Sequence, residues 1–162
     1  MGLSIRRATP ADVDVVARFN AALAWESEHK RLDEETLRLG VRAVLADAHK
    51  GFYTLAERDG GDVVGQVLVT YEWSDWRNGW YWWIQSVYVH ANGRRGGVFR
   101  ALFDHLKAAA TADPTVIGLR LYVDRDNAAA QATYRAIGME EEPYHLLGMY
   151  PLPGKANVVA GG

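Results

Sequence analysis

The chain has 162 residues, the size of one domain with a substantial core. Its formal net charge of −2 leaves no basic excess to neutralise nucleic-acid phosphates, which argues against a general nucleic-acid binder. It has no cysteine, which excludes disulfides, thiolate metal sites and a cysteine nucleophile, and it shows no apolar run long enough for a membrane span and no hydrophobic leader. We therefore expect a cytoplasmic protein with no nucleic-acid or membrane partner and no metal.

The first quarter of the chain has the pattern of a strand followed by two helices. Alternating apolar residues predict a strand at 3–8, and Thr9 is expected to cap the helix that follows. This helix is predicted to run to about Trp25, with residues 26–32 as either a bend or its continuation. Asp33 is then placed to cap a second helix with one apolar face.

Three consecutive strands are predicted in the middle of the chain. They cover 52–57, 63–72 and 80–89, and the two connections contain the turn dipeptides Asp-Gly at 59–60 and Asn-Gly at 78–79. Such dipeptides between β-branched and aromatic runs are typical of hairpins. We therefore expect an antiparallel meander here.

The third of these strands leads at once into a Gly- and Arg-rich turn and a new helix. From Val98, apolar residues such as Leu102 and Leu106 recur on one helical face. A strand, a turn and a helix N-terminus present backbone N–H groups and the positive end of the helix dipole to an anion. Three arginines add positive charge at this place: Arg94, Arg95 and Arg100. An anionic ligand, with phosphate as the natural candidate, is expected; a simple connection with solvated arginines is the alternative.

Residues 94–99 read Arg-Arg-Gly-Gly-Val-Phe. They resemble motif A of the GNAT-type N-acetyltransferases, Arg/Gln-x-x-Gly-x-Gly/Ala, which in that family grips the pyrophosphate of acetyl-CoA. Phe99 stands where the family usually has Gly or Ala, whereas the patterns of triphosphate and dinucleotide loops do not fit this turn. The resemblance implies acetyl-CoA as cosubstrate. It would contact Val87, Tyr88, Val89, Arg94, Arg95, Gly96, Gly97, Val98, Phe99 and Arg100.

A second segment resembles motif B of the same family. A strand is predicted at 116–123, Asn127 is placed to cap a helix at 128–137, and Gly138 is placed to end it. Asn127 and Tyr134 are seven residues apart and so share a helical face, which in the family borders the pantetheine arm and the thioester sulfur. The resemblance implies that both contact the cofactor and that Tyr134 protonates the leaving thiolate. A core tyrosine with a satisfied hydroxyl is the alternative.

The order of elements indicates an α/β fold. With a last strand at 145–150, it predicts a mixed, mostly antiparallel central sheet of about six to seven strands flanked by helices on both faces, as in the acetyltransferase fold. The expected domain is 3–152, followed by a flexible C-terminal tail at 153–162.

The acceptor side is indicated by an unusual density of aromatic residues. Five of the six tryptophans fall between 73 and 83, which predicts an aromatic-walled pocket; a packed hairpin or a dimer surface are the alternatives, and a homodimer is left open. The candidate substrate contacts are Glu26, Trp73, Trp76, Trp83 and Gln85. Because the family often has a glutamate base where this chain has Gln85, the base is expected to be Glu72, with Glu28 as second choice and His90 or a water chain after it. The tetrahedral oxyanion needs a hydrogen-bond donor, and the resemblance implies the backbone N–H near Val87 for this role.

The function that the resemblance implies is that of an acetyl-CoA-dependent N-acetyltransferase that moves an acetyl group to a primary amine of a small molecule or peptide. Two alternatives stay open: a non-catalytic acyl-CoA-binding or sensing module of the same fold, and an acyltransferase for longer or other acyl groups. Gln85 keeps the non-catalytic alternative open, because a glutamine cannot take a proton from an amine.

Overall fold

The computed structural model describes residues 2–160, which form two compact units. The first unit runs to Arg120 and includes residues 158–160, and the second covers Leu121–Asn157. The helices are α1 (Val13–Glu28), α2 (Glu34–Ala46), α3 (Val98–Ala112) and α4 (Ala128–Ala136), with short 3-10 turns at Pro10–Asp12 and Ala91–Gly93. The strands are β1 (Leu3–Arg7), β2 (Arg31–Leu32), β3 (Phe52–Arg58), β4 (Val63–Ser74), β5 (Gly79–Val89), β6 (Val116–Arg120) and β7 (Val159–Ala160).

The first unit is organised around a five-stranded mixed sheet in the order β1-β3-β4-β5-β6. The first four of these strands are antiparallel neighbours, whereas β6 pairs with β5 in parallel. The parallel pair requires a crossover connection, and α3 supplies it. The short strands β2 and β7 form a separate two-stranded sheet.

Helices of the first unit cover both faces of the sheet. Val16 and Ala17 of α1 and Val41 of α2 pack with Tyr53 and Leu55 on one face. On the opposite face, α3 approaches β4 so closely that a Cβ on Gly65 would lie 2.7 Å from a methyl carbon of Val98. Only glycine fits at this position, and it sets the depth at which the first turn of α3 sits on the sheet.

Much of this architecture agrees with the sequence-based predictions. The two hairpins are confirmed, Asn78 adopts the left-handed φ of 49° that its turn requires, and Asp33 caps α2 by accepting from the Thr36 N–H. Of the two alternatives for residues 26–32, the structure has three further residues of helix followed by β2. The strand predicted at 116–123 ends at Arg120.

Two expectations are corrected. The main sheet has five strands rather than six to seven, and residues 145–150 form no strand. A strand exists through pairing with a neighbour, and this segment pairs with none of the strands in residues 2–160; Leu147 is 90% exposed there. The segment predicted as a tail contains β7, which pairs with β2.

Candidate functional site

The C-terminal end of β5, which leads to the Arg-rich turn, contains a β-bulge. Gln66 of β4 pairs with Tyr88, but Leu68 pairs with Gln85, so that Ser86 and Val87 together lie opposite the single residue Val67. Ser86 has a φ of 50°, a left-handed conformation that serine rarely adopts inside a strand. A bulge takes backbone groups out of the ladder and redirects them, and here it does so next to Val87.

The turn itself is built from two further left-handed residues. Arg95 has a φ of 62° and Gly97 a φ of 75°, and a Cβ placed on Gly97 would meet no atom within 4 Å. Gly97 is the N-cap of α3, and the first intrahelical bond runs from Ala101 N–H to Gly97 C=O at 2.9 Å. The N–H groups of the first helical turn therefore have no partner within the helix, as at the anion-binding ends of helices.

Arg94, the first residue of the motif, is held in place by hydrogen bonds. Its Nε donates to the Val89 carbonyl oxygen at 2.9 Å, and its Nη2 donates to Glu26 Oε2 at 2.7 Å. The other Glu26 oxygen accepts from the Tyr88 hydroxyl at 3.2 Å. Burial, together with the adjacent Glu26 carboxylate, raises the pKa of Tyr88. Glu26, predicted as an acceptor contact, is thus joined to the Arg-rich turn before α3.

Phe99 faces the interior of the first unit. Its ring lines a small apolar cavity between the sheet and α3, beneath the bulge. The remaining lining residues are Val67, Ile84, Val87, Leu102, Phe103 and Leu106. The Phe99 side chain thus points from α3 toward the sheet. It does not cover the backbone N–H groups at the start of the helix.

Glu72, the predicted base, accepts hydrogen bonds at both carboxylate oxygens. Trp83 Nε1 donates to Oε1 at 3.0 Å, and Arg120 Nη1 donates to Oε2 at 2.8 Å. The Arg120 guanidinium also lies 3.7 Å above the ring centre of Tyr81. These contacts tie β4, β5 and β6 together on the face of the sheet that carries Tyr53.

Gln85 and the two remaining candidates for the base, Glu28 and His90, also have partners. Gln85 donates from Nε2 to Thr70 Oγ1 at 2.6 Å on the same face as Glu72. Glu28 forms a 3.1 Å ion pair with Lys30 at the end of α1, with both side chains substantially exposed. The Nδ1 atom of His90 accepts from the Asn92 N–H at 3.2 Å.

The tryptophans do not converge on one pocket. Trp83 lies beside Glu72, but Trp73 is on the opposite face of the sheet, where it packs against Trp80 with ring centres 4.9 Å apart. Trp76 lies at the hairpin turn and is 87% exposed. The structure therefore brings Trp83, Gln85 and Glu72 together and leaves Trp73 and Trp76 apart from them.

The second unit carries the two motif B residues. Asn127 caps α4 as predicted, with its Oδ1 accepting from the Ala130 N–H at 3.0 Å, and Gly138 follows the helix at a φ of 98°. Burial raises the pKa of Tyr134 above its ordinary value of 10.0. The phenol is therefore protonated throughout the neutral range and can donate a proton.

Residues 2–160 lack two kinds of feature. No helix in this range is both long and apolar enough to span a membrane. The same residues contain no cluster of three or more histidine, aspartate or glutamate side chains that could hold a metal ion.

Two residues of the site were missed by the sequence analysis. The first is Ser86, whose positive φ inside a strand has no signal in the neighbouring sequence, because the surrounding structure imposes that conformation. Arg120 was an unremarkable charge at the end of a predicted strand, and only the pairing of β5 with β6 brings it to Glu72. One signal in the sequence could have pointed to the surroundings of Ser86: Gln66 is a polar residue inside an otherwise apolar strand sequence.

The comparisons with known proteins agree with this geometry. Residues 17–139 match the model of the acetyltransferase (GNAT) family. A solved structure described as a possible acetyltransferase from Clostridium difficile 630 is 43% identical, with a TM-score of 0.87 over 93% of this chain and 98% of that one. A search of curated proteins finds no significant match.

Two more distant structures share the fold. A ribosomal-protein-alanine N-acetyltransferase from Brucella melitensis biovar Abortus 2308 is 20% identical, with a TM-score of 0.74 over 92% of this chain and 99% of that one. An aminoglycoside acetyltransferase, HMB0005, from an uncultured soil metagenomic sample is also 20% identical, with a TM-score of 0.70 and the same coverage. From the family match, the 43% identical structure and the strand–turn–helix geometry, we conclude that this chain belongs to the acetyltransferase (GNAT) family.

Proposed function

We propose that the protein is an N-acetyltransferase that moves the acetyl group of acetyl-CoA to a primary amine of a small molecule or peptide. The observation that carries the proposal is the turn between β5 and α3. Arg95 and Gly97 adopt left-handed conformations there, and the free end of α3 follows directly. Successive N–H groups in such a turn form a concave site suited to a pyrophosphate.

Acetyl-CoA fits the residues present. A Cβ at Gly97 would extend into open space, so the glycine leaves room for a phosphate to approach the backbone. Arg95 and Arg100 are exposed beside this position and supply positive charge, while Val87, Tyr88 and Val89 supply the neighbouring strand edge. Asn127 and Tyr134 of the second unit are the remaining proposed contacts.

In the proposed reaction, the neutral amine nitrogen attacks the thioester carbonyl carbon. The carbonyl oxygen becomes an oxyanion that accepts a hydrogen bond from the Val87 N–H. The C–S bond then breaks, the nitrogen loses its proton, and the thiolate takes a proton from Tyr134. Because burial raises the pKa of Tyr134, the phenol is protonated at neutral pH and holds a proton when the thiolate forms.

The proton of the amine needs an acceptor, because an alkyl ammonium with a pKa near ~10 is mostly protonated at neutral pH. Glu72 remains the first choice and Glu28 the second. Each oxygen of Glu72 accepts one hydrogen bond and has a further lone pair, which can take the proton directly or through water. The acceptor would lie on the face of the sheet that carries Trp83 and Gln85.

One set of contacts favours a second candidate, a non-catalytic acyl-CoA-binding module. Gln85 stands where the base is often found and is tied to Thr70, while Glu72 is tied to Trp83 and Arg120. A protein that retains the pyrophosphate turn and lacks a free base would bind the thioester without consuming it.

The experiment that separates the two is thioester turnover. Release of free CoA thiol is followed with acetyl-CoA and a panel of small primary amines, polyamines and peptides, and CoA binding is measured by calorimetry on the same protein. Amine-dependent thiol release supports the enzyme. Tight CoA binding without turnover for any amine supports the binding module, and absence of CoA binding contradicts both.

A further inference from the structure

Three polar side chains and Ser86 form a closed ring of hydrogen bonds beside the β5 bulge, on the face of the sheet that packs against α1. Gln66 Nε2 donates to Asn20 Oδ1 at 2.7 Å, and Asn20 Nδ2 donates to the Tyr53 hydroxyl oxygen at 2.8 Å. The Tyr53 hydroxyl is also hydrogen-bonded to the side chain of Ser86. The ring closes at the same residue, because Gln66 Nε2 lies 3.4 Å from the Ser86 carbonyl oxygen.

This ring is deeply buried and joins four elements of the first unit. Gln66, Tyr53 and Asn20 are 0%, 3% and 8% exposed and come from β4, β3 and α1. Burying a neutral amide costs free energy unless its groups are hydrogen-bonded. Gln66 Oε1 has no hydrogen-bond partner among residues 2–160, so the structure tolerates part of that cost. The Gln66 N–H donors are directed at Ser86 and Asn20, where two acceptor oxygens fix the orientation of the amide.

The residue at which the ring closes is the strained one. Ser86 has a φ of 50°, and a left-handed conformation costs a non-glycine residue roughly 1–2 kcal/mol. Such conformations persist where the surrounding structure over-determines them. Here Ser86 is held at both its backbone carbonyl and its side chain, and the peptide unit that follows carries the Val87 N–H.

We propose that Gln66 is a positioning residue for acyl transfer. With Asn20 and Tyr53 it holds Ser86 in the left-handed conformation and so sets the direction of the Val87 backbone N–H. This inference rests on the proposed function, in which that N–H binds the thioester oxyanion. Gln66 touches no reacting atom and acts through the bulge.

The test uses Gln66→Met, which keeps the length of the side chain and removes its donors. We expect kcat to fall at least about tenfold, toward the ~10²–10³-fold loss seen when a whole oxyanion donor is removed. The KM for acetyl-CoA and the affinity for CoA should stay within about twofold, because the pyrophosphate turn is separate from the ring. The matched control is Thr54→Val, a buried polar residue of β3 on the opposite face, which should stay within about twofold of wild type.

A second-site change separates positioning from general destabilisation. Glycine adopts positive φ without strain, so Ser86→Gly added to Gln66→Met should recover most of the lost kcat. Failure of the glycine to rescue, an equal loss in Thr54→Val, or a kcat within twofold of wild type in Gln66→Met would overturn the proposal. If Gln66→Met does not fold, Tyr53→Phe removes the two hydrogen bonds that the Tyr53 hydroxyl makes in the same ring, and it should show a loss of kcat that Ser86→Gly rescues.

A structural readout keeps the proposal independent of turnover. The ¹⁵N–¹H resonance of the Val87 amide should move in Gln66→Met and return toward its wild-type position when Ser86→Gly is added. If the wild-type protein transfers no acyl group, the proposed function fails while this resonance still decides whether Gln66 positions the amide. An unmoved Val87 resonance in folded Gln66→Met contradicts the positioning role whatever the activity.

Discussion

The guanidinium of Arg94 and the carboxylate of Glu26 form a 2.7 Å ion pair that links the turn before α3 to the last turn of α1. Both side chains are about half exposed, so the pair contributes little to stability by itself. Its position matters more. Arg94 is the first residue of the motif that grips pyrophosphate in the family, and here its guanidinium is paired with the Glu26 carboxylate.

This pair predicts a competition between Glu26 and the phosphates of CoA. Glu26→Gln keeps the shape of the side chain and removes a negative charge, and we expect the dissociation constant of CoA to fall about threefold, the scale of an exposed ion pair. Calorimetry at low and moderate salt measures this, with Glu34→Gln at the exposed start of α2 as the control. Weaker binding in Glu26→Gln would show that Glu26 instead holds Arg94 in its binding orientation.

Two substitutions of Gly97 separate the effects of backbone strain and of charge on CoA binding at this turn. At a φ of 75°, Gly97→Ala should weaken CoA binding by roughly tenfold, because a left-handed alanine costs about 1–2 kcal/mol. Gly97→Glu adds a negative charge in the open space facing the ligand and should abolish binding. Unchanged affinity in Gly97→Glu would place the CoA site elsewhere.

Tyr134→Phe tests the proposed general acid. The variant should lower kcat about 10²–10⁴-fold and leave the KM for acetyl-CoA little changed. Because burial raises the pKa of Tyr134 above 10.0, ionisation of the phenol should reduce wild-type activity only at still higher pH. Steady-state kinetics between pH 6 and about pH 10 check both points. A kcat within a few-fold of wild type would assign the proton to water or to another group.

Glu72→Gln tests the base. If Glu72 receives the amine proton, the variant should be active only as pH rises and the amine deprotonates itself. Glutamine has nearly the same shape but one acceptor oxygen, so this variant removes the charge and can keep the hydrogen bond from either Trp83 or Arg120, not from both. An unchanged pH–rate profile, with loss of activity in Glu28→Gln instead, would move the role to Glu28. Full activity in both variants would exclude both carboxylates.

Asp12 should stabilise the folded protein at neutral pH and lose this contribution in acid. Its carboxylate accepts two 2.9 Å hydrogen bonds from Arg6 and one from the Thr9 N–H, and the Arg6 contacts hold its pKa below the ordinary 3.8. Because the folded pKa is depressed, the stabilisation is present above pH 3.8 and is lost as pH falls through the folded pKa. Asp12→Asn should cost about 1–2 kcal/mol at neutral pH, allowing for the partly exposed Arg6. Thermal unfolding should show the difference from wild type shrinking in acid; a constant difference would contradict the assignment.

The sequence predicted the features that rest on local signals. The Asn127 and Asp33 caps, the two hairpins and the turn before α3 each depend on residues within a few positions of one another. The Glu26–Arg94 pair spans 68 positions, and no periodicity or motif indicates it. The left-handed Ser86 is imposed by partners on three other elements.

Residues 145–150 show the converse case. Their apolar pattern suits a strand, but strand formation depends on a neighbour, and a sequence pattern does not specify one. The Trp-rich segment was likewise too dense to assign by pattern alone, because its side chains divide between the two faces of one hairpin.

The division of the chain has a spectroscopic consequence. All six tryptophans precede Arg120, whereas Leu121–Asn157 contains tyrosines and no tryptophan. Emission excited selectively in the indoles therefore originates in the first unit. In a CoA titration, a change in this emission would come from tryptophans of the first unit, because α4 has none. A fluorophore introduced at the exposed Tyr144 would give the second unit its own signal, so that its response could be timed separately.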